Sequence, residues 1–593
     1  MCGISMILDF SGRAHSEHIQ QMMGVIKHRG PDDAQHLAKP FGKGKLFFGS
    51  NRLKIIDENN DSNQPMVSRD GRYVLVFNGE IYNYEALRNE LLSSGVQFST
   101  RSDTEVLLYW LAAKGAKGIA TLNGMFAFIF TDLKAQTVLI GRDSFGIKPL
   151  FVYQSNSSFI FSSEIQGILA SGMVNKELNE EAIPYYLAYK YAPRPASFFK
   201  GIEEVMPGSI WQINHAGKIE KSTIPKLEQE ENSTIENLLI DAVVQQYSEV
   251  NTTGIMLSGG VDSTLLLAIL NKELGYRNIP VYSVASTDKN KYATQDGFFA
   301  KKAAKHYQAE YNEIGISQNS LSELDGYINS LGQPIADSGG FLTWLVAQKA
   351  NGKSKVLLSG AGADELFAGY NRHIAFYNYL KFRDKKWFNL LQQGKNLPAL
   401  TPKLTQLKKL ANAINPNPST TFNNFLQSDA FRIIAPLWEE NLSKEQHLRQ
   451  ALTYDQQNYL GADVLAITDH ATMQHSIETR VPYLDTKIVT ATRRIPTQDL
   501  LTRGSKWQLK KMLINYDGKQ FAQRKKQGLG LPMHDWLQAD ELWEFNVHEQ
   551  FIHQFIPQQS INTLRKQHLL GKNNLTQELW RILLLHKWLA VNF

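Results

Sequence analysis

The hydrophobic pattern of this chain changes once, near residue 213, and the change calls for two different folds. Before it, short alternating runs rich in Val, Ile, Phe and Tyr flank turn signals such as Asp70-Gly71 in MVSRDGRYVLVFNGEIYN, the mark of antiparallel hairpins. DLKAQTVLIGRD and LFVYQSNSSFIFSSE repeat the theme, while YNYEALRNELLSSG and SDTEVLLYWLAAKG have helical spacing and stop at Gly95 and Gly115. Beyond it, TTGIMLSGGVDSTLLLAILNKELG, IPVYSVAS and KVLLSGAGADELFAGY run strand, Gly-rich loop, helix, which predicts a parallel sheet with helices on its faces. Between the two, INHAGKIEKSTIPKLEQEENST loses apolar periodicity and suits a linker or exposed hairpin. The expected organisation is an α+β domain over residues 2–212, a linker over 213–235 and an α/β domain over 236–593.

A chain of 593 residues exceeds what one core supports, so two or more cores agree with that division. No run approaches the roughly 20 apolar residues of a membrane span. The net charge of +6 is spread over 63 basic and 57 acidic residues without a basic block, which argues against nucleic acid as a partner. The opening residues lack a basic segment followed by an apolar one, and a single cysteine cannot build a disulfide framework, so a reducing cytoplasm is the expected location. No internal repeat is evident, and the Asn/Gln-rich stretch from 391 to 425 reads as an insertion without chemistry.

In GIMLSGGVDST an apolar strand ends at Leu257, and Ser258, Gly259, Gly260, Val261, Asp262 and Ser263 lead straight into a helix. The N–H groups of such a turn converge on one spot, and glycine lets an anion come close, which makes a phosphate or pyrophosphate cradle. It is neither Walker A, since no Gly-Lys-Ser/Thr follows, nor the dinucleotide GxGxxG. The segment resembles the SGGxDS loop of the N-type ATP pyrophosphatases, which cleave ATP to AMP and pyrophosphate while adenylating a substrate. Ser283 lies in the next strand, and KVLLSGAGADELFAGY brings Ser359, Gly360, Asp364 and Glu365 to the same carboxyl edge, where open α/β sheets bind ligands. Asp262 and Asp364 are a pair suited to Mg²⁺ bridging phosphates. Taken alone, Asp364 reads equally as a helix N-terminal carboxylate.

The one cysteine, Cys2, becomes N-terminal if Met1 is removed, and its own α-amine, with an ordinary pKa near 8, then serves as the general base for its thiol. Taken alone, Cys2 reads first as a small residue on an opening strand. The motifs CGI, KHRGPD, NRLKIID, FNGEIYN, SDTE, LNGMFAF and GRDSFGIKPL occur in the order seen in class II glutamine amidotransferases. From Cys2 to the C-terminal RILLLHKWLA the chain resembles the glutamine-hydrolysing asparagine synthetases.

That resemblance implies an N-terminal nucleophile glutaminase with an αββα sandwich, followed by a Rossmann-like ATP-pyrophosphatase domain. Cys2 would attack the glutamine carboxamide, Asn78 and the Gly79 N–H would form the oxyanion hole, Arg52 would hold the α-carboxylate, and Glu80 with Asp103 the α-amino end. Ammonia would travel through the interior to a site where ATP and Mg²⁺ adenylate an acceptor carboxylate, aspartate first. YLGADVLAITDHATMQHSIETRVPYLD matches the family signature at Asp469, Met473, Ser476, Glu478, Arg480 and Asp485. These are read as a buried polar network shaping the acceptor pocket, with Glu478 and Arg480 joining Asp364 and Glu365 as acceptor-binding residues. Lys506 matches a lysine on the ATP phosphates. Lys526 in RKKQGLGLPMHDWL matches another basic loop, for which a solvated charge run is an equal reading. Relatives often form homodimers, and the C-terminal Leu/Trp-rich helix reads as core.

Two positions depart from the family pattern. Ala361 stands in Ser359-Gly360-Ala361-Gly362 where an acidic residue is usual, and Leu529 stands where Phe is common. An alanine cannot accept a proton, so another group substitutes, or ammonia attacks unaided, or the acceptor is a different carboxylate in a glycan or specialised metabolite. A β-lactam-forming synthetase fits poorly, because such relatives lack the cysteine. A non-catalytic regulator of the same fold fits poorly too, since drift would have erased some of these residues.

Overall fold

The computed structural model describes residues 2–225, 233–247, 252–286, 296–385, 388, 410–524, 533–543, 554–570 and 575–593. Two antiparallel six-stranded sheets fill the N-terminal third. The first runs in the order β10 (Ile202–Glu204), β8 (Phe151–Gln154), β9 (Ser158–Ser162), β1 (Cys2–Asp9), β3 (Gly44–Arg52), β2 (Asp33–Phe41). The second runs β12 (Ile219–Thr223), β11 (Ser209–Asn214), β7 (Thr137–Arg142), β6 (Gly124–Asp132), β5 (Tyr73–Ile81), β4 (Met66–Val67). Side chains alternate across each strand, and the alternation sets the layers. Ile4, Met6 and Leu8 of β1 meet Val74 and Val76 of β5 between the sheets. Ile7 faces outward onto Ile19 and Met22 of α1 (Ser16–Val25), while Leu75 and Phe77 face α2 (Tyr84–Ser93) and α3 (Asp103–Lys114). With α4 (Ile165–Ala170) beside α1, the result is the expected αββα sandwich.

The stretch from 213 expected as linker or hairpin is a hairpin as far as Thr223. Its strand β12 pairs with β11 at the edge of the second sheet, Ile219 opposite Ile213, so this sheet continues past residue 212. The next described helix is Ile235–Gln246.

The C-terminal part is built on a five-stranded parallel sheet, β15 (Glu310–Ile316), β14 (Pro280–Ser286), β13 (Thr253–Met256), β16 (Val356–Leu358), β17 (Glu478–Arg480). The helix Val261–Lys272 follows β13, with Leu265 to Leu270 all buried, as a helix packed against a doubly covered sheet requires. The C-terminal helix Thr576–Asn592 is core, as expected: Trp588 packs edge-on against Phe198 and Phe199 of the first domain. Of the Asn/Gln-rich stretch, the described part includes the helix Pro418–Leu426; residues 391–409, like Lys526 and Leu529, lie outside the described residues. Among the described residues no helix is long and apolar enough to cross a membrane.

Candidate active sites

The first site lies where β1 begins. Cys2 is opposite Arg52 in the β1–β3 register, so strand pairing alone sets the thiol beside a guanidinium. Cys2 N–H donates to Asn78 Oδ1 at 3.2 Å, and Asn78 Nδ2, fully buried, has no hydrogen-bond partner. A buried, unused amide donor is costly unless a ligand takes it up, so Asn78 Nδ2 is available to an acceptor beside Cys2. Next to it, Gly79 has φ +152°, and a Cβ there would come within 2.0 Å of Met125 O, so only glycine allows this close crossing of β5 and β6. Burial pushes the Cys2 thiol up, against the pull of the N-terminal charge and of Arg52.

Cys2, Arg52, Gly79, Glu80 and Asp103 line one pocket. The Arg52 guanidinium is oriented by the loop that follows it, donating to Asn59 O at 2.9 Å and Asn63 Oδ1 at 2.6 Å and also to Asp57 O. Asp103 opens α3, accepts from Ile81 N–H at 3.1 Å, and is raised by burial to about 6. Gln64 was not singled out by its sequence. Its Nε2 reaches Cys2 Sγ at 3.6 Å and its Oε1 accepts from Phe77 N–H at 2.6 Å, and a lone Gln in an aperiodic polar loop gives no signal of this.

The second site is at the carboxyl edge of the parallel sheet. Gly259 has φ +66°, and a Cβ there would come within 2.4 Å of Ala300 N, so the turn after β13 needs glycine to pass the neighbouring helix. Ser263 Oγ accepts from Ser258 N–H at 3.2 Å and Ser258 Oγ from Gly260 N–H at 3.3 Å, which holds the turn before the helix. Lys506 Nζ sits between Asp262 Oδ2 at 2.5 Å and Asp364 Oδ1 at 2.6 Å, and these carboxylates hold its ammonium well above the ordinary lysine range despite burial. Lys506 itself has φ +56°, a strained setting for a side-chain-bearing residue that is kept at sites where placement matters. Arg524, which opens the basic run, donates to Ser258 O at 2.8 Å and pairs with Asp296; it, and not Lys526, is the described residue of that run at the loop. Ser359 N–H donates to Arg480 O at 2.9 Å, and Ser359 Oγ accepts from Ala361 N–H at 3.3 Å. Ser283 is buried on β14, whose Tyr282 O accepts from Leu257 N–H at 2.8 Å. Gly360 packs tightly on Asp262, whose Cβ would stand 2.9 Å from a Cβ at 360. Glu365 is fully buried, accepts from Tyr370 Oη at 2.5 Å, and is raised by burial and by Asp364 to about 7.

The polar residues of the signature from Asp469 to Asp485 are paired, Asp469, Glu478, Arg480 and Asp485 being buried and Ser476 half-buried, and their partners lie across the domain seam. Asp469 binds Arg29 at 2.9 Å and Lys148 at 3.4 Å, Ser476 Oγ donates to His28 O at 2.6 Å, and Asp485 accepts from Asn123 Nδ2 at 2.7 Å. All four partners belong to the first domain. Arg480 joins Glu478 on its own strand and Glu80 of the first domain, both at 2.6 Å, and Glu478 lines the pocket of Cys2. Glu478 and Arg480 therefore stand at the pocket of Cys2 and the domain seam, while Asp364 is tied through Lys506 to Asp262 of the Gly-rich turn. Of short β17, Glu478 and Arg480 are turned to the other domain while Thr479 donates to Thr472 Oγ1 of its own, which one-dimensional spacing does not reveal. Beside this seam lies a cavity of about 90 Å³ walled by Ile147, Tyr191, Leu331, Ile335, Ala462 and Leu465.

Two chemistries, one built for an amide and one for phosphates, share a chain whose halves are locked by buried charge pairs: this is a glutamine amidotransferase fused to a ligase domain. Residues 1–223 match the glutamine amidotransferase domain and residues 234–590 the asparagine synthase domain. The chain belongs to the asparagine synthase family of glutamine-hydrolysing carbon–nitrogen ligases. It is 29% identical to asparagine synthetase [glutamine-hydrolyzing] 1 of Bacillus subtilis, across 97% of this chain and 94% of that one. It is 30% identical to putative asparagine synthetase [glutamine-hydrolyzing] 2 of Methanocaldococcus jannaschii, across 73% and 85%. It is also 26% identical to amidase chyE of Penicillium rubens, across 65% and 61%.

Proposed function

We propose that the protein converts aspartate to asparagine, hydrolysing glutamine at Cys2 and consuming ATP at the second site with release of AMP and pyrophosphate. With Met1 removed, the Cys2 amine takes the thiol proton as sulfur attacks the glutamine carboxamide, and Asn78 Nδ2 and Gly79 N–H meet the oxyanion. Ammonia stays inside the protein and reaches the nucleotide loop without entering solvent. The ATP phosphates rest on the turn from Ser258 to Ser263, and Lys506 follows the departing pyrophosphate.

Mg²⁺ fits between Asp262 and Asp364, because two carboxylates that already share one cation, the Lys506 ammonium, are a donor set that Mg²⁺ takes together with phosphate oxygens. Bound there, it would neutralise the phosphate charge. Glu365, raised to about 7 and accepting from Tyr370 Oη, takes the place of the carboxylate absent at Ala361 as proton acceptor for the attacking ammonia. The observation that carries the reading is the unpartnered Asn78 amide beside Cys2 on a chain that also holds the Lys506 bridge. Relatives named asparagine synthetase support aspartate as the acceptor.

The test pairs two variants with two nitrogen sources. Cys2→Ala abolishes glutamine-dependent amide formation and leaves formation from added ammonium, whereas Asp262→Ala removes both. Pyrophosphate release measured with aspartate and with a panel of other carboxylic acids identifies the acceptor; release with another acid and none with aspartate would overturn it.

A further inference from the structure

The pocket of Cys2 is not closed by its own domain. Glu478, a residue of β17 in the parallel sheet, lines it together with Glu80 and Asp103, and its carboxyl is 1% exposed. Arg480 fixes Glu478 from below through its Nε at 2.6 Å and Glu80 through its Nη2 at 2.6 Å. Arg480 is itself anchored, donating to Gln246 O at 2.9 Å and accepting Ser359 N–H of the nucleotide loop on its carbonyl.

Glu80, Asp103 and Glu478 thus stand together in the wall, with Arg480 between Glu80 and Glu478, Arg52 lining the same pocket and Lys148 contributing at longer range. Buried carboxylates without counter-charge are costly. Burial raises Glu80 well above the ordinary carboxylate range, while Arg480 and the other nearby positive charges hold Glu478 down at about 2. Two cations are available to such a wall during turnover, the Cys2 amine and the α-ammonium of the substrate.

We infer that Glu478, supplied by the ligase domain, is a recognition residue for the α-ammonium group of glutamine. This rests on the reading of Cys2 as the glutaminase nucleophile. Glutamine recognition is then shared between the domains, and Arg480, whose side chain orients Glu478, accepts from Ser359 N–H on its backbone carbonyl.

The test compares glutamine with glutaramate, which is glutamine without its α-amino group, as substrates of the full chain. The wild type prefers glutamine. Glu478→Gln keeps the size of the side chain and an acceptor for Arg480 Nε. It lowers kcat/KM for glutamine about 10- to 100-fold, mainly through KM, as loss of one charged hydrogen bond does, and leaves glutaramate within about twofold. Ammonium-dependent synthesis stays unchanged, which shows an intact fold. Equal losses for both substrates, or no loss for glutamine, would overturn the inference. If Glu478→Gln fails to fold, Glu478→Asp carries the test: drawing the carboxylate back by one methylene lowers the preference for glutamine over glutaramate, and a preference equal to that of the wild type counts against the assignment. A wild type that turns over neither substrate defeats the glutaminase reading itself, a result separate from an unchanged ratio.

Discussion

Arg480→Met removes one charge from the domain seam and leaves two buried carboxyls facing each other. Methionine matches the stem of arginine in length, so packing changes little and the electrostatic part is isolated. A carboxyl held at about 2 instead of the ordinary 4.5 is worth roughly 3 kcal/mol to the folded state above pH 4.5, an advantage that disappears as pH falls through the folded value. Without Arg480 that advantage is gone and Glu478 joins Glu80 among the raised carboxyls. A group raised in the folded state stabilises below its unfolded value and loses that contribution as pH rises through the folded one. The variant already trails the wild type by about 3 kcal/mol near pH 4.5, where that advantage is present, and by more, up to about 5 kcal/mol, at pH 8, the usual range for breaking a buried pair. For a cooperative unit of several hundred residues this is roughly 3 to 6 °C in Tm. Thermal unfolding followed by circular dichroism at matched scan rates from pH 4.5 to 8 measures the gap. Adding Glu80→Gln and Glu478→Gln to the variant restores most of it at pH 8. A gap that stays constant with pH would refute the reasoning, since a loss of packing alone carries no proton.

Asn78→Ala, by removing the buried side-chain amide donor that has no partner beside Cys2, lowers glutaminase kcat about 10²- to 10³-fold with a small change in KM, and steady-state glutamate release checks it. Glu365→Gln, in a site where the carboxyl titrates near 7, lowers ammonium-dependent synthesis and removes the rise in rate between about pH 6 and 8. An unaltered pH profile in that variant would take Glu365 out of the reaction.

The pairing of Asn78 with Glu80 on one face of β5 follows from strand periodicity, and so does the burial of β1 on both faces. The turn at Ser258–Ser263 follows from glycines that only a close backbone approach explains, as Gly259 against Ala300 bears out. Other features gave no local sign. Gln64 touches the sulfur from a loop without periodicity, Arg524 reaches Ser258 from a run that reads as solvated charge, and the near-neutral Glu365 depends on Tyr370 and on depth of burial.

By itself the sequence determined which residues are chemically able: an amine beside a thiol, an amide beside a glycine, a glycine-rich turn at a strand end, two carboxylates and a lysine. Those abilities are properties of residue type and of spacing within one element, which a linear string preserves. Only the tertiary structure decided which domain each buried charge serves. Glu478 and Arg480 sit two residues apart on a strand of the ligase sheet, yet their partner Glu80 is 398 positions earlier than Glu478 in the chain. Low-dielectric burial makes a charge seek whatever opposite charge the fold brings within 3 Å, and that neighbour is set by the docking of two domains, a relation that no local pattern encodes.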